Sequence, residues 1–138
     1  MRILGLDLGE RRVGVAISDP GGIMASPLVQ FQPKGRRDLA ATVVRLVKAQ
    51  GAERVVVGMP FLEDGTRGEQ ARRTEATVEA LRAALPVPVA VWDERYSTSD
   101  AEEAMRQAGL APRRRQERRD KVAATLILQA YLDAGAPL

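Results

Sequence analysis

Arg2-Ile3-Leu4-Gly5-Leu6-Asp7-Leu8-Gly9, followed after Glu10-Arg11 by Arg12-Val13-Gly14-Val15-Ala16-Ile17-Ser18, is the stretch that decides how this chain folds. The first run is apolar on both faces, which reads as a central strand. Ile3, Gly5 and Asp7 then lie on one side and Leu4, Leu6 and Leu8 on the other. Gly9-Glu10 makes a tight turn. Val13, Val15 and Ile17 alternate with Gly14, Ala16 and Ser18, so the second run is an antiparallel partner of the first. Within this hairpin Asp7 is out of place, because a carboxylate in an apolar strand must be paired, protonated or bound to a cation.

Beyond the hairpin, Pro20-Gly21-Gly22 breaks the chain and Ser26 to Gln32 supplies a third strand before the Pro33-Lys34-Gly35 loop. The pattern then changes to alternating helices and strands. Leu39, Val43, Leu46 and Val47 recur at helical spacing, with Asp38 near the start and Gly51 at the C-cap. Arg54 to Gly58 holds Val55-Val56-Val57, a buried parallel strand. After the loop Met59 to Thr66 comes a helix with the stripe Ala71, Thr74, Val78, Leu81 and Leu85, then a fifth strand, Val87 to Val91. Ser99 with Glu102 resembles a capping box opening a short helix through Met105 that ends at Gly109. The last helix is expected from about Arg118 to Asp133. The order predicts an α/β fold: a mixed five-stranded sheet, three antiparallel hairpin strands and then parallel strands, flanked by helices, with the first strand near the centre. With no repeat or linker, residues 1–138 are expected to form a single domain.

Composition removes several chemistries. The 138 residues include no His and no Cys, so there is no imidazole base, thiolate nucleophile or thiolate/imidazole zinc site. Hydrolysis would have to draw on water activated by a metal ion. No apolar run is long enough to span a membrane, and Met-Arg-Ile does not begin a signal peptide. A cytoplasmic protein is the expectation, and the lack of cysteine agrees with a reducing compartment.

Three acids carry the functional signal: Asp7, Glu94 in Asp93-Glu94-Arg95-Tyr96-Ser97-Thr98, and Asp120 at the head of the last helix. In open α/β sheets sites form beyond the carboxyl ends of the parallel strands, and Asp7 and Glu94 both lie at such ends. On a helical wheel Ala123, Ala124, Ile127 and Tyr131 fall within about 60° of Asp120, so it sits on the inward stripe, where capping or a dipole role is the alternative. On pattern alone Glu94 could equally be a surface ion pair, with Asp93 as the other ligand candidate. Converging carboxylates would hold Mg²⁺ or Mn²⁺, hard cations that prefer oxygen.

The formal net charge is only +3, yet the basic residues cluster. Arg113, Arg114, Arg115, Arg118, Arg119 and Lys121 surround Asp120, and Arg72 and Arg73 flank a loop–helix junction. Such patches are the electrostatic footprint of a nucleic-acid binder, against the plainer reading of a solvated arginine-rich face. Arginines at a helix start oppose its macrodipole, which points to a bound anion such as phosphate.

Gly5-Leu6-Asp7-Leu8-Gly9 with Arg12-Val13-Gly14-Val15-Ala16, Val56-Val57-Gly58-Met59-Pro60 with Asp64-Gly65-Thr66, Asp93-Glu94-Arg95-Tyr96-Ser97-Thr98, and Asp120-Lys121 before Ala123-Ala124 and Ile127-Leu128 together resemble the YqgF/RuvX family. The resemblance covers nearly the whole chain with four ordered motifs. It implies a ribonuclease H-like nuclease domain, in a family described either as Holliday junction resolvases or as nucleases maturing the 5′ end of the small-subunit ribosomal RNA precursor. By that resemblance Asp7, Glu94 and Asp120 match the three acidic active-site positions. The implied activity is that of a hydrolase, a divalent-metal-dependent nuclease with Mg²⁺ or Mn²⁺ as cofactor. Its partner would be structured nucleic acid, pre-rRNA or branched DNA, and a homodimer is one assembly it could form. The arginines at 113–115, 118 and 119, with Lys121, Arg95 and Arg12, would hold flanking phosphates. Where the family commonly has Leu-Asn-Met before Asp-Gly, this chain has Phe61-Leu62-Glu63, so an amide contact from that loop is absent. Aromatic residues make up 4% of the chain, so recognition would come from shape rather than stacking. Two rivals are an actin-like ATPase lobe, which also opens with a strand, an Asp and a glycine turn but needs a second lobe, and a non-enzymatic nucleic-acid-binding module on a nuclease fold.

Overall fold

The computed structural model describes residues 1–61, 65–94 and 112–138, the last segment by backbone alone as far as 122. Five strands form one sheet: β1 (Ile3–Leu8), β2 (Val13–Ser18), β3 (Ala25–Phe31), β4 (Arg54–Met59) and β5 (Val89–Asp93). Their order is β3-β2-β1-β4-β5, which puts β1 in the centre as expected. β1 pairs antiparallel with β2 and parallel with β4, and β4 pairs parallel with β5. Helices α1 (Arg36–Gln50), α2 (Glu69–Ala84) and α3 (Pro112–Asp133) cover it.

The pleat of β1 splits the core in two. Leu4 and Leu6 join Val13, Val15, Val55 and Val57 against Val43 and Val47 of α1 and Val78 and Leu81 of α2. Each such side chain contributes about 1.5–3 kcal/mol when fully buried, so this face supplies much of the stability. Ile3, Ala16, Val56 and Ala90 pack instead against Ala124, Leu128 and Tyr131 of α3. There the sheet and helix come unusually close. A Cβ built on Gly5 would stand 2.7 Å from Leu128 Cβ and 3.2 Å from the Ala124 carbonyl oxygen, so only glycine lets α3 rest on the strand.

Several boundaries differ from the sequence expectation, each for a local reason. β3 runs Ala25–Phe31 rather than Ser26 to Gln32, and it holds Pro27, tolerated because β3 is an edge strand. Its pairing with β2 shifts register between Val15 and Ala16, next to the position opposite Pro27. β5 runs Val89–Asp93 rather than Val87 to Val91, since Pro86 and Pro88 have no N–H for a ladder. α3 begins at Pro112, six residues before Arg118; proline suits a first helical position, where no N–H partner is needed. Gly51 closes α1 in the left-handed conformation, with φ 65° and ψ 34°. The short helix expected between Ser99 and Gly109 lies outside the described residues.

Candidate active site

Four elements meet at the carboxyl end of the parallel strands. β1 brings Asp7 there, β4 brings Gly58, Glu94 follows directly on β5, and α3 crosses the same face. Alternation along β5 sets Ala90 and Trp92 on the α3 side, and Glu94 continues that series. Trp92 seals the floor by edge-on contact with Tyr131, at 5.9 Å between ring centroids. Of the two acids that were equal on pattern alone, Glu94, the one the family resemblance singled out, shares the face of Asp7.

Glu94 is half-buried, and its carboxyl shares a hydrogen bond with Asp7. Its pKa is raised above the ordinary glutamate value of 4.5, first by burial and then by the negative charge of Asp93, with the Asp7 hydrogen bond acting in the opposite direction. The partner of Asp7 is therefore a second acid, which is the opposite of what a purely structural aspartate would have. A divalent cation between the two carboxyls would balance their charge.

Gly58 shapes this pocket. A Cβ there would lie 3.1 Å from Glu94 Oε2 and 2.6 Å from Ile127 Cδ1, so the missing side chain is the space into which the Glu94 carboxylate folds. Sequence reasoning placed Gly58 in a motif but gave it no role. The available signal was a glycine ending a Val-Val-Val strand, which marks close approach of another group.

Other predicted positions are less close or lie outside what is described. Arg12 precedes β2 and its carbonyl accepts the Gly9 N–H at 2.9 Å, closing the β1–β2 turn two residues past Asp7. Asp120 is on the α3 backbone one turn ahead of Ala123 and Ala124, which are buried against the sheet. Its side chain lies outside the described residues, as do those of Arg113, Arg114, Arg115, Arg118, Arg119 and Lys121; Arg95 and the Leu62–Glu63 segment lie wholly outside. Among the described residues no third acid joins the pair. The donors present, two half-buried carboxylates in a cradle cleared by Gly58, fit an oxygen-liking divalent ion.

The sequence model of the RuvX family, described as Holliday junction resolvase, matches residues 1–134. A Syntrophomonas wolfei protein named "Putative pre-16S rRNA nuclease" is 44% identical over 136 residues, covering 99% of this chain and 96% of its own. One of the same name from Chloroflexus aggregans is 46% identical over 132 residues, with 96% and 93% covered. Among solved structures, T. thermophilus RuvC in complex with a Holliday junction superposes with a TM-score of 0.62 at 19% identity, covering 99% of this chain and 97% of that one. Fowlpox virus resolvase with junction DNA gives 0.61 at 10% identity, covering 99% and 100%. At such identities the structures speak for the fold alone, which is ribonuclease H-like. A family match over almost the full length, with relatives above 40% identity, makes this chain a member of the RuvX family.

Proposed function

We propose that residues 1–138 act as one divalent-metal-dependent nuclease domain that hydrolyses phosphodiester bonds in structured nucleic acid, and that its substrate is the 5′ end of the 16S rRNA precursor. The observation that carries the reading is the hydrogen-bonded pair of carboxyls, Asp7 and Glu94, at the carboxyl ends of β1 and β5. The relatives' shared name favours the rRNA substrate. The family description favours a second reading, resolution of Holliday junctions. A homodimer would suit that second substrate, because a four-way junction is resolved by two cuts. In either case the chain acts in the cytoplasm.

Asp7 and Glu94 would hold Mg²⁺ or Mn²⁺ together, with Asp120 completing the set from α3. The bound ion would supply a nucleophilic water at neutral pH and positive charge for the departing 3′ oxygen. Partial burial of both carboxylates lowers the local dielectric, which strengthens their hold on a cation. Gly58 keeps Glu94 folded toward Asp7. Arg12, Arg95, the arginines at 113–115, 118 and 119, and Lys121 would bind flanking phosphates without reading sequence.

The test is cleavage of a 5′-extended 16S precursor RNA and of a four-way DNA junction by the same purified protein with Mn²⁺, beside Asp7→Asn. Cleavage of the RNA that is lost in the variant is the expected result. Equal cleavage by both proteins removes the carboxyl pair from the chemistry, and cleavage of the junction alone selects the second reading.

A further inference from the structure

Past the end of β1 the chain turns through Gly9-Glu10-Arg11, and on the side of the sheet away from α3 this turn opens onto a trough. Two hollows, of about 390 and 120 Å³, share Gly9, Glu10, Arg73 and Thr77 and so form one continuous depression. Its rim carries three arginines, Arg11 from the turn, Arg36 from the first turn of α1 and Arg73 from α2, against one lining acid among the described residues, Glu10. All three arginines are exposed, and among the described residues none of them forms an ion pair.

Arg36 is also held in place. Its Nε donates to Thr77 Oγ1 at 3.2 Å, and that hydroxyl donates to the Arg73 carbonyl at 3.1 Å. The bond ties the guanidinium to a residue that lines the same trough and leaves its charge unpaired. Beside it, Gly35 starts α1 with no side-chain cap, while Arg36 and Arg37 occupy the first turn, where cations oppose the helix dipole. Asp38, the acid of that turn, accepts the Lys34 N–H at 2.8 Å and does not line the trough, so the three arginines leave the depression with a net positive charge that suits a phosphate-bearing chain. The trough begins at Gly9, two residues past Asp7, a distance of about 7 Å along an extended strand.

We propose that this trough, with Arg11, Arg36 and Arg73, is a second phosphodiester-binding subsite, which holds the substrate strand as it leaves the Asp7–Glu94 pair around the β1–β2 turn. The proposal rests on the nuclease reading above and names a surface on the far side of the sheet from the basic start of α3. The arginines grip backbone phosphates, so the subsite sets how much flanking strand is bound and is indifferent to base sequence.

The test is the salt dependence of binding to a labelled single-stranded RNA oligonucleotide, measured in EDTA so that no turnover occurs. Removing one phosphate-binding charge lowers the log–log slope by about 0.7 on a single strand, so Arg11→Gln with Arg36→Gln and Arg73→Gln should lower it by about 2. The corresponding triple lysine variant should keep the slope, because counterion release follows charge. Arg45→Gln with Lys48→Gln, near the other end of α1, should leave it unchanged. Since all the altered side chains are exposed, melting curves should be close to wild type. A glutamine triple with the wild-type slope overturns the proposal, and so does a control that lowers the slope as much per charge. With the slope lowered as expected, a wild type that binds RNA but cuts nothing supports the subsite while overturning the nuclease reading.

Discussion

The two ends of the central sheet treat a carboxylate in opposite ways. Where β2 finishes, Asp19 accepts backbone N–H bonds from Ile23 at 2.7 Å and Met24 at 2.9 Å. Those donors, Met24 first, hold its pKa below the ordinary aspartate value of 3.8. Where β1 and β5 finish, Glu94 is given burial, the neighbouring charge of Asp93 and a hydrogen bond with Asp7, and its pKa is raised. One end uses its acid to fasten a turn, and that acid is content as an anion. The other end sets a half-buried acid beside the charge of Asp93, a local conflict of the kind expected at a functional site.

The largest effect should come from removing one of the gathered acids. Asp7→Asn or Glu94→Gln should lower turnover by at least about a hundredfold, on the scale of deleting one stabiliser of transition-state charge, with substrate binding little changed. Cleavage and binding assays on the same preparations test this, and near wild-type turnover in either variant takes that residue out of the site. Next in size, Mn²⁺ should raise the melting temperature of the wild type, with stabilisation of about 2.7 kcal/mol at a hundredfold excess over its dissociation constant. Asp7→Asn should respond little to Mn²⁺. In EDTA at neutral pH it should melt above the wild type, because the asparagine amide donates to Glu94 without adding charge. A clearly lower melting point would falsify the metal site at Asp7.

Packing at the same end can be broken separately. Gly58→Ala sets a Cβ against Ile127 and Glu94, and should destabilise by about 1–3 kcal/mol while lowering turnover through displacement of the Glu94 carboxylate. Unchanged stability and activity would show that the pocket has slack.

Acid titration separates the two ends by sign. Glu94 has a folded pKa above its unfolded value, so the penalty is full above the folded pKa and fades as pH falls toward 4.5. In EDTA, Glu94→Gln should therefore melt above wild type at neutral pH, with the gap closing as pH drops through that window. The smallest effect belongs to Asp19, whose folded pKa lies below its unfolded value. Its contribution is present above 3.8 and is lost as pH falls through the lowered value, so Asp19→Ala should melt slightly below wild type at pH 7 and match it in strong acid. Differential scanning calorimetry against pH reads both, and the same sign at the two ends would erase the contrast.

Much of this was legible in the residues themselves. The alternation of Leu4 and Leu6 against Ile3, Gly5 and Asp7, the Val55-Val56-Val57 run and the stripe from Ala71 to Leu81 follow from side-chain periodicity, which is local, so five strands and their central member could be read directly. Asp7 was legible because a charge in an apolar strand contradicts its surroundings. Element ends were less so: prolines at 86, 88 and 112 moved the limits of β5 and α3, since a missing N–H matters only once the ladder or helix that would use it exists. Sequence alone thus determined the order of the elements and the chemistry on offer, three isolated acids and no imidazole or thiol. Only the tertiary structure decided that Glu94 meets Asp7, that Gly58 makes the space for it, and that Arg11, Arg36 and Arg73 converge on one trough. Those facts depend on pleat, register and helix approach between residues far apart in the chain, and no local pattern encodes them.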